Sequence, residues 1–90
     1  MNASQLGGGG IKSIQRGLLT IGAGLSSGSV SVSTVDTTKS ELRMLGFSTA
    51  SIGTTDGYPR INLASSTAIN ATRSGNGVDV LISWELTERY

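Results

Sequence analysis

The stretch from Val78 to Leu86 alternates its side chains with a period of two. Val78, Val80, Ile82 and Trp84 fall on one side, and Asp79, Leu81, Ser83 and Glu85 on the other. That period belongs to an extended strand with one buried face, so this stretch commits the chain to a β-sheet with Trp84 inward and Glu85 outward. Other stretches read the same way. Ile11 to Gln15 begins a strand that Leu18 to Ile21 continues, with a break or bulge expected at Arg16-Gly17. Ser29 to Thr34 carries Val30 and Val32 inward and Ser31 and Ser33 outward. Arg60 to Ala64 puts Ile61 and Leu63 inward, and Thr67 to Arg73 places Ile69 and Ala71 on one face.

Turn-forming residues separate these stretches. Gly22 to Gly28, Ala50 to Pro59 and Ser74-Gly75-Asn76-Gly77 read as loops or tight turns. Asp36 to Leu45 admits two readings: a turn over Asp36 to Ser40 followed by a strand from Glu41 to Ser48, or one short helix capped by Asp36. With about six or seven short antiparallel strands, the expected fold is all-β, a small β-sandwich or barrel. It occupies residues 11–90, behind a Gly-rich N-terminal arm at 1–10.

Composition limits what this fold can bury. The chain has 90 residues, 37% of them apolar and 4% aromatic, so one domain with a thin core is expected. Small domains of this kind gain stability from disulfides, metals or partner subunits. The sequence contains no Cys and no His, which removes disulfides and the commonest transition-metal ligands. Oligomerisation is left, and a homo-oligomer is expected. The arm supplies a candidate contact: Leu6 followed by Gly7, Gly8, Gly9 and Gly10 would adapt to a neighbouring subunit, with folding back on its own domain as the alternative.

Chemistry-bearing motifs are sparse. A phosphate loop needs Gly before Lys and another Gly five places earlier, but Ile11 and Leu6 stand there before Lys12. Asn2-Ala3-Ser4 and Asn70-Ala71-Thr72 match the glycosylation pattern by chance, with no secretion signal in front. Asp36, Glu41, Asp56, Asp79, Glu85 and Glu88 form no recognisable carboxylate pair, and Lys12 and Lys39 are the only lysines that could serve a serine nucleophile. The chain is therefore not expected to be an enzyme, and no cofactor or metal is expected. Asp56 beside Gly57 suits a turn better than a calcium site. Trp84 and Tyr90 suggest a sugar platform, but Trp84 fits the core better. Asp56, Tyr58 and Arg60 form the candidate exposed ligand loop.

The net charge of +1 is spread over isolated Lys and Arg residues, so nucleic acid is not an expected partner. No apolar run reaches the ~20 residues of a membrane helix. The start at Met1 has neither the basic region nor the apolar stretch of a signal peptide, which predicts assembly in the cytoplasm of the producing cell.

The run Ile11-Lys12-Ser13-Ile14-Gln15-Arg16-Gly17 resembles the opening of a group of small tailed-bacteriophage structural proteins. Val35 to Ser40, Leu45-Gly46, Ala71 to Arg73 and the final alternating strand resemble further segments of that group, so the likeness spans most of residues 11 to 90. The Met1 to Gly10 extension departs from its usual start. The resemblance implies a virion location, with the major capsid protein or other virion proteins as partners. The resemblance does not decide between head and tail; the expected role is a capsid decoration or cement protein assembling as a homo-oligomer, with a trimer expected from the class of small phage decoration and fibre proteins. A tail or tail-fibre component touching host-surface glycans is the alternative, and the resemblance carries no catalytic residue.

Overall fold

The computed structural model describes residues 10–49 and 58–90. Six strands follow one another: β1 (Ile11–Ile21), β2 (Ser27–Ser31), β3 (Ser40–Thr49), β4 (Arg60–Ser65), β5 (Ala68–Thr72) and β6 (Val80–Arg89). They form two three-stranded antiparallel sheets, one in the order β1-β6-β3 and the other β2-β5-β4. The sheets pack face to face, with β1 close to β2 at one side and β3 close to β4 at the other. The all-β sandwich expected from the alternation is therefore present.

The central strand β6 governs the first sheet. Its Val80, Ile82, Trp84 and Leu86 are buried, as the period of two requires. Leu19 and Ile21 of β1, Ile69 and Ala71 of β5, and Val35 complete the buried cluster. Val30, Val32, Leu42, Phe47, Ile61 and Leu63 pack around it from partly buried positions. These nine buried side chains are mostly aliphatic. Each fully buried valine, leucine or isoleucine among them contributes about 1.5–3 kcal/mol of apolar burial.

Two local expectations are settled by packing. Strand β1 runs without interruption through Arg16 and Gly17, so no break occurs there. Gly17 lies opposite Trp84, and a Cβ at Gly17 would come within 2.8 Å of the indole Cζ2. The glycine makes room for the ring instead of ending the strand. The register shifts lie elsewhere, between Ile11 and Ser13 of β1, between Leu63 and Ser65 of β4, and between Met44 and Gly46 of β3, where Leu45 is the extra residue. Asp36 to Leu45 resolves into a turn and a strand. Thr37–Lys39 forms one 3-10 turn, and β3 begins at Ser40. Strand β2 ends at Ser31, three residues earlier than the alternation suggests, because Val32 and Val35 donate their backbone N–H groups to Thr67 and Ser66.

Candidate functional site

The two sheets differ on their outward faces, and the register defines each face row by row. In the second sheet the outward rows are Ser27–Thr72–Arg60, Ser29–Asn70–Asn62 and Ser31–Ala68–Ser65. All but Ala68 are polar, as suits an antiparallel sheet with one solvated face.

The outward rows of the first sheet are Thr20–Leu81–Ser48, Leu18–Ser83–Gly46, Arg16–Glu85–Arg43 and Ile14–Thr87–Glu41, followed past the bulge by the pair Ile11–Arg89. Leu18 is 59% exposed, and Ile14, Leu45 and Leu81 are also exposed. Leu81 and Leu18 stand on neighbouring rows, with Leu45 at the bulge beside them, while Ile14 lies beyond the charged row Arg16–Glu85–Arg43. Ser83 and Gly46 leave a low strip between them, and a Cβ built on Gly46 meets no atom within 4 Å. Charges cross this face between Leu18 and Ile14. Arg16 Nε donates to Glu85 Oε2 at 2.8 Å, and Arg43 Nη2 lies 3.7 Å from Glu41 Oε1. Such exposed pairs add little to stability but orient their side chains.

At one end of the sandwich an acidic side chain is buried. Glu88 is 5% exposed and continues the inward phase of β6 beyond Leu86. It accepts from Asp36 N at 2.9 Å and Ser13 Oγ at 3.4 Å, while Lys12 Nζ stands 3.9 Å away. Asp36 in turn accepts from Thr38 N at 2.9 Å and Thr38 Oγ1 at 2.7 Å. The Thr38 side-chain bond, then its backbone bond, with help from Lys39 and Lys12, hold the Asp36 carboxyl below its ordinary pKa. Gln15 acts as a backbone surrogate nearby: its amide accepts from Ser33 N at 2.9 Å and donates to Ser33 O at 3.1 Å. These contacts are structural, because each polar atom they use is already engaged.

At the opposite end Arg73, 6% exposed, is held inside the β1–β2 loop. Its Nε and Nη2 donate to Leu25 O at 3.1 and 2.9 Å, and Nη2 reaches Gly22 O at 3.3 Å. Beside this loop, Ala23, Ser48, Thr49, Gly77, Val78, Asp79 and Leu81 line an open cleft of about 450 Å³. Its carboxylate, Asp79, accepts from Ala23 N at 2.6 Å. The cleft thus shares Leu81 with the apolar face.

Of the sequence-derived candidates, Tyr58 is 72% exposed and Arg60 is exposed beside it. Tyr58 meets Phe47 edge-on at 6.0 Å between ring centroids, so the exposed ring is braced from the core side. Asp56 lies outside the described residues, as do Leu6, Gly7, Gly8 and Gly9. Gly10 is buried, and its carbonyl accepts from Tyr90 N at 3.0 Å. Trp84 and Tyr90 make no platform: the tryptophan is 4% exposed within the core, and Tyr90 is 66% exposed. Among the described residues no three acidic side chains gather as metal ligands, and no helix is long and apolar enough to cross a membrane. Comparison with protein families, curated proteins and solved structures gave no match.

The apolar outward face was the feature that the alternation alone missed. Its residues occupy positions that the period assigns to solvent. Only their hydrophobicity, Leu18 and Leu81 most clearly, distinguishes them from the serines and threonines around them.

Proposed function

We propose that this protein is a structural subunit of a bacteriophage particle, a capsid decoration or cement protein that works through repeated subunit contacts. One observation carries the assembly half: the first sheet exposes Leu18, Leu45 and Leu81 as neighbours, while the second sheet turns a polar face to solvent. A cluster of exposed leucines on a small domain suits a contact surface. The virion half rests on the resemblance of Ile11 to Gly17 and the later segments to small tailed-phage structural proteins. In this role the partners are other copies of the chain and the major capsid protein, and many modest contacts add up through multiplicity.

A second reading, a tail or tail-fibre component contacting host-surface glycans, is favoured by exposed Tyr58 next to Arg60. An exposed aromatic beside a cation suits sugar stacking and hydrogen bonding.

Quantitative mass spectrometry of purified virions tests both. A copy number in simple proportion to the major capsid protein supports a decoration protein. A few copies per particle support the tail reading. Absence from washed particles rejects both.

A further inference from the structure

We infer that Asn76 is a site of spontaneous deamidation, in which the Gly77 main-chain nitrogen displaces the side-chain amide as ammonia and water opens the resulting ring to aspartate or isoaspartate. This goes beyond the assembly reading above and does not depend on it.

The site lies in the loop between β5 and β6. Those strands belong to different sheets, so the loop crosses from one sheet to the other and is no tight hairpin turn. Among the described residues Gly24 alone has a positive φ, so neither Asn76 nor Gly77 takes the backbone shape of a primed hairpin turn. Both are exposed, between buried Gly75 and half-buried Val78. Asn76 O accepts from Gly24 N at 2.8 Å, which anchors the main chain. Among the described residues no hydrogen bond holds the Gly77 N–H or the Asn76 side-chain amide.

An asparagine side chain is long enough to fold back on its own main chain, and asparagine is one of the residues that age chemically. The nitrogen of the next residue can then attack the side-chain carbonyl carbon. Glycine suits this step, because it has no Cβ to block the approach and has the freedom to turn its nitrogen toward the side chain. Gly77 N loses its proton and bonds to Asn76 Cγ, and the side-chain nitrogen leaves with that proton as ammonia. A five-membered imide remains, and water adds across one of its two C–N bonds. Cleavage at Cγ gives aspartate. Cleavage at the former main-chain carbonyl gives isoaspartate, in which the chain runs through Cγ. The sequence of steps consumes water alone and involves no oxidant or reductant.

The other described asparagines differ on each count. Asn62 and Asn70 lie in β4 and β5 as cross-strand partners and precede Leu63 and Ala71. Pairing fixes their extended backbone, and the Cβ of the next residue crowds the attacking nitrogen.

The product changes what Asn76 holds. Gly24 N is shared between Asn76 O at 2.8 Å and Gly77 O at 3.4 Å, which ties the β1–β2 turn to this loop beside the cleft. In isoaspartate the first of these oxygens belongs to a free carboxylate, and the path to Gly77 is longer by a carbon. The two acceptors no longer stand side by side, so the tie loosens at the cleft wall.

The test incubates the purified full chain, folded and in denaturant, at mildly alkaline pH and physiological temperature. Peptide mass mapping and isoaspartyl methyltransferase labelling then locate the products. The folded chain should convert at residue 76, with isoaspartate among the products, while Asn62 and Asn70 keep their amides. Gly77→Ala should lose most of the conversion in both media; the denatured sample makes this reading independent of whether the variant folds. Hydrogen exchange at the Gly24 amide should be faster in the converted chain than in the fresh one. Conversion at residue 76 in denaturant but not in the folded chain overturns the site, because the fold then protects it. Aspartate without isoaspartate overturns the imide route, and equal conversion in Gly77→Ala overturns the part given to Gly77. Unchanged exchange at Gly24 overturns the loosened tie.

Discussion

The two sheets of this sandwich bury similar inner faces and present opposite outer ones. Val30, Ile69 and Leu63 form an inward row of the second sheet, as Leu19, Ile82 and Phe47 do in the first. On the outside, Ser29–Asn70–Asn62 faces Leu18–Ser83–Gly46 as its counterpart. The inner rows are alike because both must exclude water from one core. The outer rows differ although both strand sets have the same backbone pattern, so folding alone does not account for the leucines. Neighbouring exposed leucines on an otherwise polar outer face suit a contact made there.

The comparison breaks first if inward and outward positions prove energetically alike. Ile82→Ala should cost about 2–5 kcal/mol by denaturant unfolding of the dilute chain, because it opens a cavity beside Trp84. Leu81→Ser, one residue away and outward, should stay within about 0.5 kcal/mol under the same conditions. A comparable loss at Leu81 would mean that this face is already covered within a single subunit.

A smaller effect sharpens the inner half. Gly17→Ala should cost about 1–3 kcal/mol, since the new Cβ would press within 2.8 Å of the indole unless the ring shifts. Trp84 is the single tryptophan of the chain, so its fluorescence reports the displacement directly. An unchanged spectrum and midpoint would mean that the ring has room to spare.

The turn between the sheets should respond less. Asp36→Ala should lower the unfolding midpoint by less than Gly17→Ala does, through the loss of the Thr38 contacts. The Asp36 pKa is lower in the folded chain than in the unfolded chain. Its contribution is therefore fully present above the unfolded value and is lost as pH falls through the lower folded value, below the ordinary 3.8. Acid titration of stability should show a shallower limb there in Asp36→Asn, a difference small beside the core effects.

The smallest change in stability should come from making the polar face resemble the apolar one. Ser29→Leu together with Asn70→Leu should move the unfolding midpoint of the dilute chain by about 0.5 kcal/mol or less. Light scattering at high concentration should nevertheless show new self-association, because an apolar patch has been added to a solvated sheet. If solubility is unchanged, the serines and asparagines of the second sheet are not what keeps that face free.

Much of the fold was legible because alternation is a direct image of a half-buried strand. Val80 to Leu86, Ile61 with Leu63, and Ile69 with Ala71 all face as their spacing requires. Gly17 misled because glycine in a strand reads equally as a bend or as space for a neighbour, and the neighbour is 67 residues away by sequence number. In sequence Arg73 is one isolated cation and Glu88 an acid without a recognisable partner, yet each continues the inward phase of its strand, Arg73 after Ala71 and Glu88 after Leu86. Carrying the period past the last apolar residue would have placed both inside. Their partners are backbone groups of distant loops, which no local pattern encodes. The apolar outer face could be read as composition but not as a surface, because the register of β1 and β3 on β6 is what makes Leu18, Leu81 and the Leu45 bulge neighbours.

The central position of β6 also sets a timetable. β1 and β3 pair with β6 and not with each other, although both precede it in the chain. On a translating ribosome, β2, β4 and β5 can complete their sheet while β1 and β3 still wait for residues 80–89. The first sheet therefore closes late, by long-range pairing, which is the slow kind of folding step. Through that interval the leucines of β1 and β3 are unprotected on both sides, so nascent chains crowded on one message are at their most adhesive just before the final strand emerges.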